Sequence, residues 1–221
     1  MTESRKREKK DLSLTAPGET KKYIRDFGVF DETTSDGVLV ASGRKFHVSK
    51  HHLASHSNFF KSMFFKEFDE STKDEIVLEN VEAEELQKFL ETINGELCID
   101  DKCVDGVLRL SDMWCAATPM NACERFLMRD SKKSRKDIFS IARGYNLQKL
   151  KDDLISKANN HAELQSILPS DVMSLDHATM GAILKKFSAL TTSHSRIGHY
   201  EGTPQYYSHR GPIPQPTYSP T

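Results

Sequence analysis

A β-hairpin followed at once by two short helices is predicted for residues 36–65, which read DGVLVASGRKFHVSKHHLASHSNFFKSMFF. Val38 and Val40 lie two positions apart, as do Phe46 and Val48, and a glycine separates the two pairs. A period of two predicts strands, and the glycine predicts the turn between them. This close succession of strands and helices favours a domain that binds other proteins over one that builds an active site.

Two serines predict where the helices after the hairpin begin. Ser49 is placed as the N-cap of a turn that carries Leu53. Ser57 is placed as the N-cap of the second helix, in which Phe60 and Phe64 share one face. Serine is favoured at an N-cap because its hydroxyl accepts a hydrogen bond from a backbone N–H of the first turn.

Apolar periodicity predicts further elements after this region. Residues 75–78 predict a third strand, and residues 82–94 predict a helix whose apolar stripe must be buried. Residues 98–99 predict a short strand, and residues 104–114 another helix. The next helix is predicted to begin at residues 118–119, with threonine as its cap and proline at its first position.

Three motifs in this part of the chain together resemble the opening of a BTB/POZ domain. They are D-x-x-L-V from Asp36, F-H-V from Phe46, and K-x-x-L-A-x-x-S-x-x-F-x-x-M-F from Lys50. The resemblance continues to about Ser131, and its later segments, LSDMW and CERFL, are similar to the nematode-expanded BTB family. It implies an α+β BTB/POZ fold, a small mixed sheet with a cluster of short helices, followed by an all-α helical extension.

Composition divides the chain into four parts. Residues 1–20 contain a cluster of Lys and Arg without periodicity, which predicts a disordered basic arm. Residues 21–131 are the expected BTB/POZ domain with a leading segment, and residues 132–191 are the helical extension. Residues 192–221 hold five of the eight prolines and four of the six tyrosines, which predicts a disordered Pro/Tyr-rich tail.

The extension is predicted to contain about four short helices. Ser134 and Asp137 have the spacing of a capping box, which predicts the start of the first of them. Apolar residues at helical spacing continue to the last predicted stripe, formed by Met180, Ile183, Leu184 and Phe187.

The charge balance predicts no direct binding of nucleic acid or membranes. Charged residues make up 29% of the chain, but the formal net charge is only −1, so no overall field would recruit either partner. No apolar run approaches the ~20 residues of a membrane span. We expect a soluble, intracellular, cytoplasmic protein, with nuclear import through the basic arm left open.

Neither the cysteines nor the histidines predict a catalytic or metal site. The four cysteines include no C-x-x-C pair and are interpreted as buried thiols. His47, His51, His52 and His56 form two i, i+4 pairs, but the first lies in a strand and the others on a two-turn helix, so no single face gathers them. Common catalytic and nucleotide-binding motifs are absent. We expect no catalytic residue, no metal, no cofactor and no enzyme activity.

The resemblance implies a cullin-binding triplet at Phe68, Asp69 and Glu70. Cullin-recruiting BTB domains carry a hydrophobic-x-Glu motif between the second helix and the third strand, and this triplet stands there. An aromatic anchor beside a carboxylate suits recognition, because the ring fills a desolvated pocket while the charge fixes the register. The alternative is that Phe68 folds back onto the core of its own domain.

The resemblance also implies a homodimer face on the helix from Ser49 to His56, which carries Leu53, and on the segment before Asp36. Asp36 and Lys50 match the acidic and basic positions of the charged pocket of BTB dimers. Lysine departs from the more frequent arginine, which weakens any bidentate contact. An exposed pair without a functional role is the alternative interpretation.

Two functions follow from this resemblance. The first is a substrate adaptor that binds cullin-3 and an unidentified substrate for ubiquitin transfer. It is expected to act as a homodimer, or paired with a related BTB protein. The sequence shows no Kelch period or finger spacing and too few residues before Asp36 for a MATH domain, so the substrate is expected to meet the extension, the tail or a partner. The second is a dimerisation scaffold or corepressor-binding protein that does not recruit cullin.

Overall fold

The computed structural model describes residues 25–65 and 75–195, and of residues 193–195 the backbone alone. The predicted basic arm and most of the predicted tail lie outside this range. In chain order the elements are β1 (Gly37–Ala41), β2 (Arg44–Val48), α1 (Lys50–His56), α2 (Asn58–Phe65), β3 (Glu75–Val77), α3 (Ala83–Ile93), α4 (Val104–Met113), α5 (Ala117–Arg129), α6 (Arg135–Gly144), α7 (Gln148–Ser156), α8 (His161–Ile167), a 3₁₀ turn (Val172–Ser174) and α9 (His177–Ser195).

The described strands form one mixed sheet in the order β2-β1-β3. The predicted hairpin is confirmed: β1 and β2 are antiparallel, and Ser42 and Gly43 between them both have positive φ, of 46° and 76°. Such angles are typical of the tight turns that match the twist of a hairpin. β3 is parallel to β1, with Leu39 opposite both Phe46 and Ile76, so these three buried residues line one face of the sheet.

An aromatic cluster fills the core between the sheet and the first helices. Phe60 of α2, Phe89 of α3 and Trp114, which follows α4, are almost fully buried. The Trp114 ring lies 4.9 Å from the Phe60 ring and 4.8 Å from the Phe89 ring, centroid to centroid. The apolar stripe of the predicted helix at residues 82–94 is therefore buried, as expected.

Both predicted serine caps are confirmed. The Ser49 hydroxyl accepts a hydrogen bond from the backbone N–H of His52 at 3.3 Å. The Ser57 hydroxyl accepts from the backbone N–H of Phe60 at 3.2 Å and also donates to the carbonyl of Trp114 at 2.5 Å. Ser57 thus joins the start of α2 to the end of α4 inside the core.

Two local predictions are wrong. Residues 98–99 form a loop and not a strand, because Asp100 Oδ1 accepts from the backbone N–H groups of Lys102 and Cys103, both at 2.9 Å, and so fixes a turn directly after them. Helix α5 begins two residues earlier than predicted, after Ala116 as N-cap, which has no capping side chain. Thr118 lies in the first turn, and its hydroxyl contacts His56 Nδ1 at 2.9 Å.

The cysteines only partly follow the expectation of buried thiols. Cys123 is buried and Cys98 and Cys103 are half-buried, but Cys115 is exposed. Burial raises the pKa of the Cys98 and Cys123 thiols and raises that of Cys103 to about 11. These three thiols are therefore protonated at neutral pH and poorly nucleophilic.

The chain divides into two compact units, one ending at Asp153 and the other beginning at Leu154. The first unit contains the sheet, α1 to α6 and the start of α7. Ser134 caps α6 as predicted, accepting from the N–H of Asp137 at 3.1 Å. The buried carboxylate of Glu124 on α5 accepts a hydrogen bond from the N–H of Leu150 in α7 at 3.3 Å.

In the second unit, α8 packs on α9. The His161 ring lies 4.4 Å from the Phe187 ring, and Lys186 Nζ donates to the carbonyl of Ser156 at 2.6 Å. Helix α9 extends to Ser195, beyond the predicted start of the tail. Its predicted apolar stripe is not buried as a whole, because Leu184 and Phe187 are exposed and Met180 and Ile183 are only partly buried.

Candidate protein-interaction surface

Asp36 and Lys50 are brought together at the start of α1. Asp36 Oδ1 accepts a hydrogen bond from the backbone N–H of Lys50 at 2.5 Å, so its carboxylate serves the first turn of the helix. The Lys50 side chain passes so close to Gly37 that a Cβ there would lie 2.8 Å from its Cε, and its Nζ lies 6.0 Å from the centre of the Phe64 ring. Between the two described side chains there is no ion pair; the contact is from carboxylate to backbone.

Leu53 lies in the core of the monomer, with 2% of its surface exposed. Its side chain therefore anchors α1 to the domain. The residues that α1 exposes most are His51 and Ser55, on the opposite side of the helix. Any contact with a second protein at this helix would be made by such neighbours, and Leu53 would act by fixing the position of α1.

A cleft of about 590 Å³ runs beside α1, between it and the segment at residues 25–35. The segment is held by hydrogen bonds to its backbone carbonyls. The backbone N–H of His47 donates to the Phe27 carbonyl at 2.7 Å, and the side-chain Nε2 of Gln87 donates to the Arg25 carbonyl at 2.6 Å. Phe27 is buried, whereas Val29 and Phe30 are 65% and 57% exposed. The face predicted for dimerisation therefore combines a cleft with two exposed apolar side chains.

Two histidines, His47 and His52, are among the titratable side chains that line this cleft. His47 Nδ1 and His52 Nε2 are buried, and neither has a hydrogen-bond partner. Burial lowers the pKa of His52, and the nearby His56, whose ring lies 4.8 Å away, lowers it further. No group of three or more His, Cys, Asp or Glu among the described residues is arranged to hold a metal ion.

A second exposed apolar area lies on α2 and at the end of α4. Phe59 is partly exposed and stacks on Trp114 with a centroid distance of 6.3 Å and an interplanar angle of 19°. Met113 is also exposed, and Phe65, the last residue of α2, is 58% exposed. The predicted triplet Phe68, Asp69 and Glu70 lies outside the described residues.

Four of these exposed apolar residues, Val29, Phe30, Phe59 and Phe65, were not predicted from the sequence to lie at the surface. A weak signal existed for Phe59, because it lies beside Phe60 in a helix whose buried face is defined by Phe60 and Phe64, so it must point away from that face. No periodic pattern marks Val29 and Phe30, since their segment is neither helix nor strand.

Comparisons with known proteins agree on one family. The sequence-family model of the BTB/POZ domain matches residues 28–131. The chain is 38% identical over 142 residues to BTB and MATH domain-containing protein 15 of Caenorhabditis elegans, covering 64% of this chain and 52% of the relative. It is 31% identical over 166 residues to BTB and MATH domain-containing protein 45 of the same organism, covering 75% and 35%. The chain thus spans about half the length, or less, of these curated relatives.

Among solved structures, the BTB domain of zebrafish PATZ1 is similar over 43% of this chain and 77% of that one, with 15% identity and a TM-score of 0.37. In the part of the chain that the structure describes, no helix has the length and apolar character needed to cross a membrane.

Proposed function

Because residues 28–131 are a BTB/POZ domain, and the chain is thus a member of a family of protein-interaction modules, we propose that it is a substrate adaptor of a cullin-3 ubiquitin ligase. In this role it pairs with a second copy of itself or with a related BTB protein. One surface of the domain binds cullin-3, and another surface binds the protein to be ubiquitinated.

The surface beside α1 supports the pairing step. An isologous dimer needs a patch that is complementary to itself. The cleft next to α1 and the exposed side chains of Val29 and Phe30 lie on the same side of the domain, so the apolar side chains of one copy can enter the cleft of the other. Burial of two such side chains supplies apolar area at the centre of a contact, where binding energy is concentrated.

The exposed end of α2 is the observation that carries the cullin-binding proposal. Phe65 presents more than half of its surface to solvent only three residues before Phe68. An exposed aromatic residue leading into an aromatic-acidic triplet provides apolar area and a carboxylate within one short segment. Such a combination suits a docking surface, because the rings bind and the charge selects the register.

Binding to the purified N-terminal domain of cullin-3 tests this proposal. We expect the wild-type chain to bind in isothermal titration calorimetry, and we expect the variant Phe68→Ala with Glu70→Lys to bind at least tenfold more weakly. A matched control is Glu79→Lys with Phe187→Ala, which makes the same chemical changes at exposed positions elsewhere. Equal affinity of the two double variants, or no binding by the wild type, would refute cullin recruitment through the triplet.

The contact between Asp36 and Lys50 favours one alternative, a dimeric scaffold or corepressor-binding protein that does not recruit cullin. It places an exposed carboxylate and a half-buried lysine side chain next to the proposed dimer face. The cullin-3 titration separates the two functions, and sedimentation velocity tests the pairing step that they share. Both functions require a dimer at micromolar concentration, and we expect Phe30→Glu to weaken it while Met173→Glu, a matched change in the second unit, does not. A monomeric wild type would contradict both.

A further inference from the structure

A second cleft, of about 450 Å³, lies between the loop after α3 and one face of α5. Its lining from α5 follows helical spacing, with Ala122, Arg125, Phe126 and Arg129 on the same side of the helix. This cleft is separate in sequence from the α1 face and from the triplet. None of its residues has a role in the function proposed above.

The apolar part of this cleft is open to solvent. Leu97, at the rim, is 100% exposed, and Ile99 and Phe126 are partly exposed. The loop that carries Leu97 is nevertheless held in place, because the N–H of Glu96 donates to the carbonyl of Glu91 at 3.0 Å. A fully exposed leucine on a fixed loop beside a cleft contributes nothing to the core of its own domain. It is available to a partner.

The charged part of the cleft indicates what that partner carries. Arg125 and Arg129 are exposed one helical turn apart, and neither forms an ion pair or side-chain hydrogen bond with a described residue. Guanidinium groups bind carboxylates through two parallel hydrogen bonds, and their aliphatic stems add apolar contact. Arginine is also enriched at protein–protein interfaces relative to the rest of the surface.

Two carboxylates, Glu96 and Asp130, line the same cleft, so its formal charges balance. A purely acidic ligand would therefore gain little from the overall charge. A ligand with an apolar side chain for Leu97, Ile99 and Phe126, and with one or two adjacent carboxylates for the arginines, uses both parts of the cleft. The balance of charge also predicts that the affinity for the ligand depends only modestly on salt concentration, because no long-range field assists binding.

We infer that this cleft binds a short acidic-apolar peptide segment of a partner protein. We infer further that this partner is the substrate, which docks in the cleft through that segment. The identification of the partner as a substrate rests on the adaptor function proposed above. The binding of an acidic-apolar segment rests only on the cleft itself.

A display library of random peptides tests the inference while the partner protein is still unidentified. The full chain is used for selection, and the variant Arg125→Glu with Arg129→Glu is used for counter-selection. We expect the enriched peptides to combine Asp or Glu with a neighbouring large apolar residue. Failure to enrich peptides that distinguish the two proteins, or enrichment of basic peptides, would overturn the inference.

The affinity of the most enriched peptide then tests the residues, by fluorescence anisotropy. We expect at least a tenfold loss for the double arginine variant, a threefold to tenfold loss for Leu97→Ala, and recovery when the peptide's acidic residues are exchanged for lysine in the double variant. The control Lys136→Glu with Lys149→Glu changes the net charge by the same amount at exposed positions. An equal loss in this control would show that the effect is overall charge, contrary to the inference.

Cullin-3 binding separates this inference from the proposed function. We expect the double arginine variant to bind cullin-3 like the wild type. If the wild type binds cullin-3 but selects no peptide, the inference fails and the adaptor function stands. If it selects peptides but does not bind cullin-3, the adaptor function fails and the peptide site stands. Loss of cullin-3 binding in the double arginine variant would assign the cleft to cullin and overturn the inference.

Discussion

Helices α3 and α9 both carry a stripe of apolar side chains, but the two stripes have different surroundings. On α3, Leu86, Phe89 and Leu90 are fully buried among the sheet and the neighbouring helices. On α9, Leu184 is 68% exposed and Phe187 is 52% exposed. The free energy gained by burying an apolar side chain depends on the area removed from water, so these similar stripes contribute very differently to stability.

The contrast separates residues that hold the domain together from residues that are free to serve another role. A helix whose apolar residues all lie on one side can bury them by packing that side against a single neighbouring surface. Helix α9 has buried residues on one side, including Thr179 and Leu190, and exposed apolar residues on an adjacent side. Its packing on α8 uses only part of its apolar surface.

Truncation of one phenylalanine in each stripe gives the largest expected difference. Phe89→Ala should lower the free energy of unfolding by about 3–5 kcal/mol, because it opens a cavity beside Trp114. Phe187→Ala should lower it by less than about 1 kcal/mol, since much of that ring is already in water. Urea titration followed by fluorescence of Trp114, the one tryptophan of the chain, and by circular dichroism measures both changes. Similar losses in the two variants would contradict the contrast.

Removal of an N-cap in each unit gives a smaller difference. Ser57→Ala should cost about 2 kcal/mol, because it removes the cap of α2 and leaves the buried carbonyl of Trp114 without its donor. Asn160→Ala should cost about 1 kcal/mol, because Asn160 Oδ1 accepts only from the N–H of Glu163, at 2.8 Å, near the surface. The same urea titrations measure both, and a larger cost at Asn160 would reverse the expected order.

The smallest expected effect is a dependence of stability on pH that arises from His52 in the first unit. The pKa of His52 is lowered by burial and by His56, Arg25 and His51. As the pH falls below the usual histidine pKa of about 6.5, the unfolded chain binds a proton that the folded chain resists. Stability should therefore decrease as the pH falls through that value toward the lowered pKa, and should not change on this account above it.

Comparison of urea midpoints at pH 7.5 and 5.5 measures this effect. His52→Gln should reduce the difference between the two midpoints, because glutamine keeps polar atoms but does not titrate. His177→Gln, at an exposed position on α9, is the control and should leave the difference unchanged. An unchanged difference in the His52 variant would show that other groups cause the dependence.

Most of the fold follows from local patterns in the sequence. The hairpin, the caps at Ser49, Ser57 and Ser134, and the buried stripe of α3 were all predicted, because each depends on residues that are close together in the chain. The predicted strand at residues 98–99 failed because hydrogen bonds to Asp100 and not apolar alternation decide the conformation there.

The surface was less predictable, because periodicity shows which residues share a face and not what covers that face. The exposure of Leu184 depends on which elements pack on α9, and that of Val29 depends on the path of an irregular segment. The meeting of Asp36 with Lys50 was expected from the family resemblance, but the acceptance of a backbone N–H by the carboxylate is a detail of three-dimensional geometry. The roles of Phe68, Asp69 and Glu70 stay a prediction.

The hydrogen bond from Leu150 to the buried carboxylate of Glu124 matters for how this chain can be shortened. The family match ends at residue 131, but Glu124 lies before that limit and its donor lies well after it. A fragment cut at the end of the match would lose this donor to the Glu124 carboxylate, together with α6 and α7, whose buried side chains include Phe139 and Leu150. The end of the family match at residue 131 and the end of the first compact unit at Asp153 are therefore different places in this polypeptide.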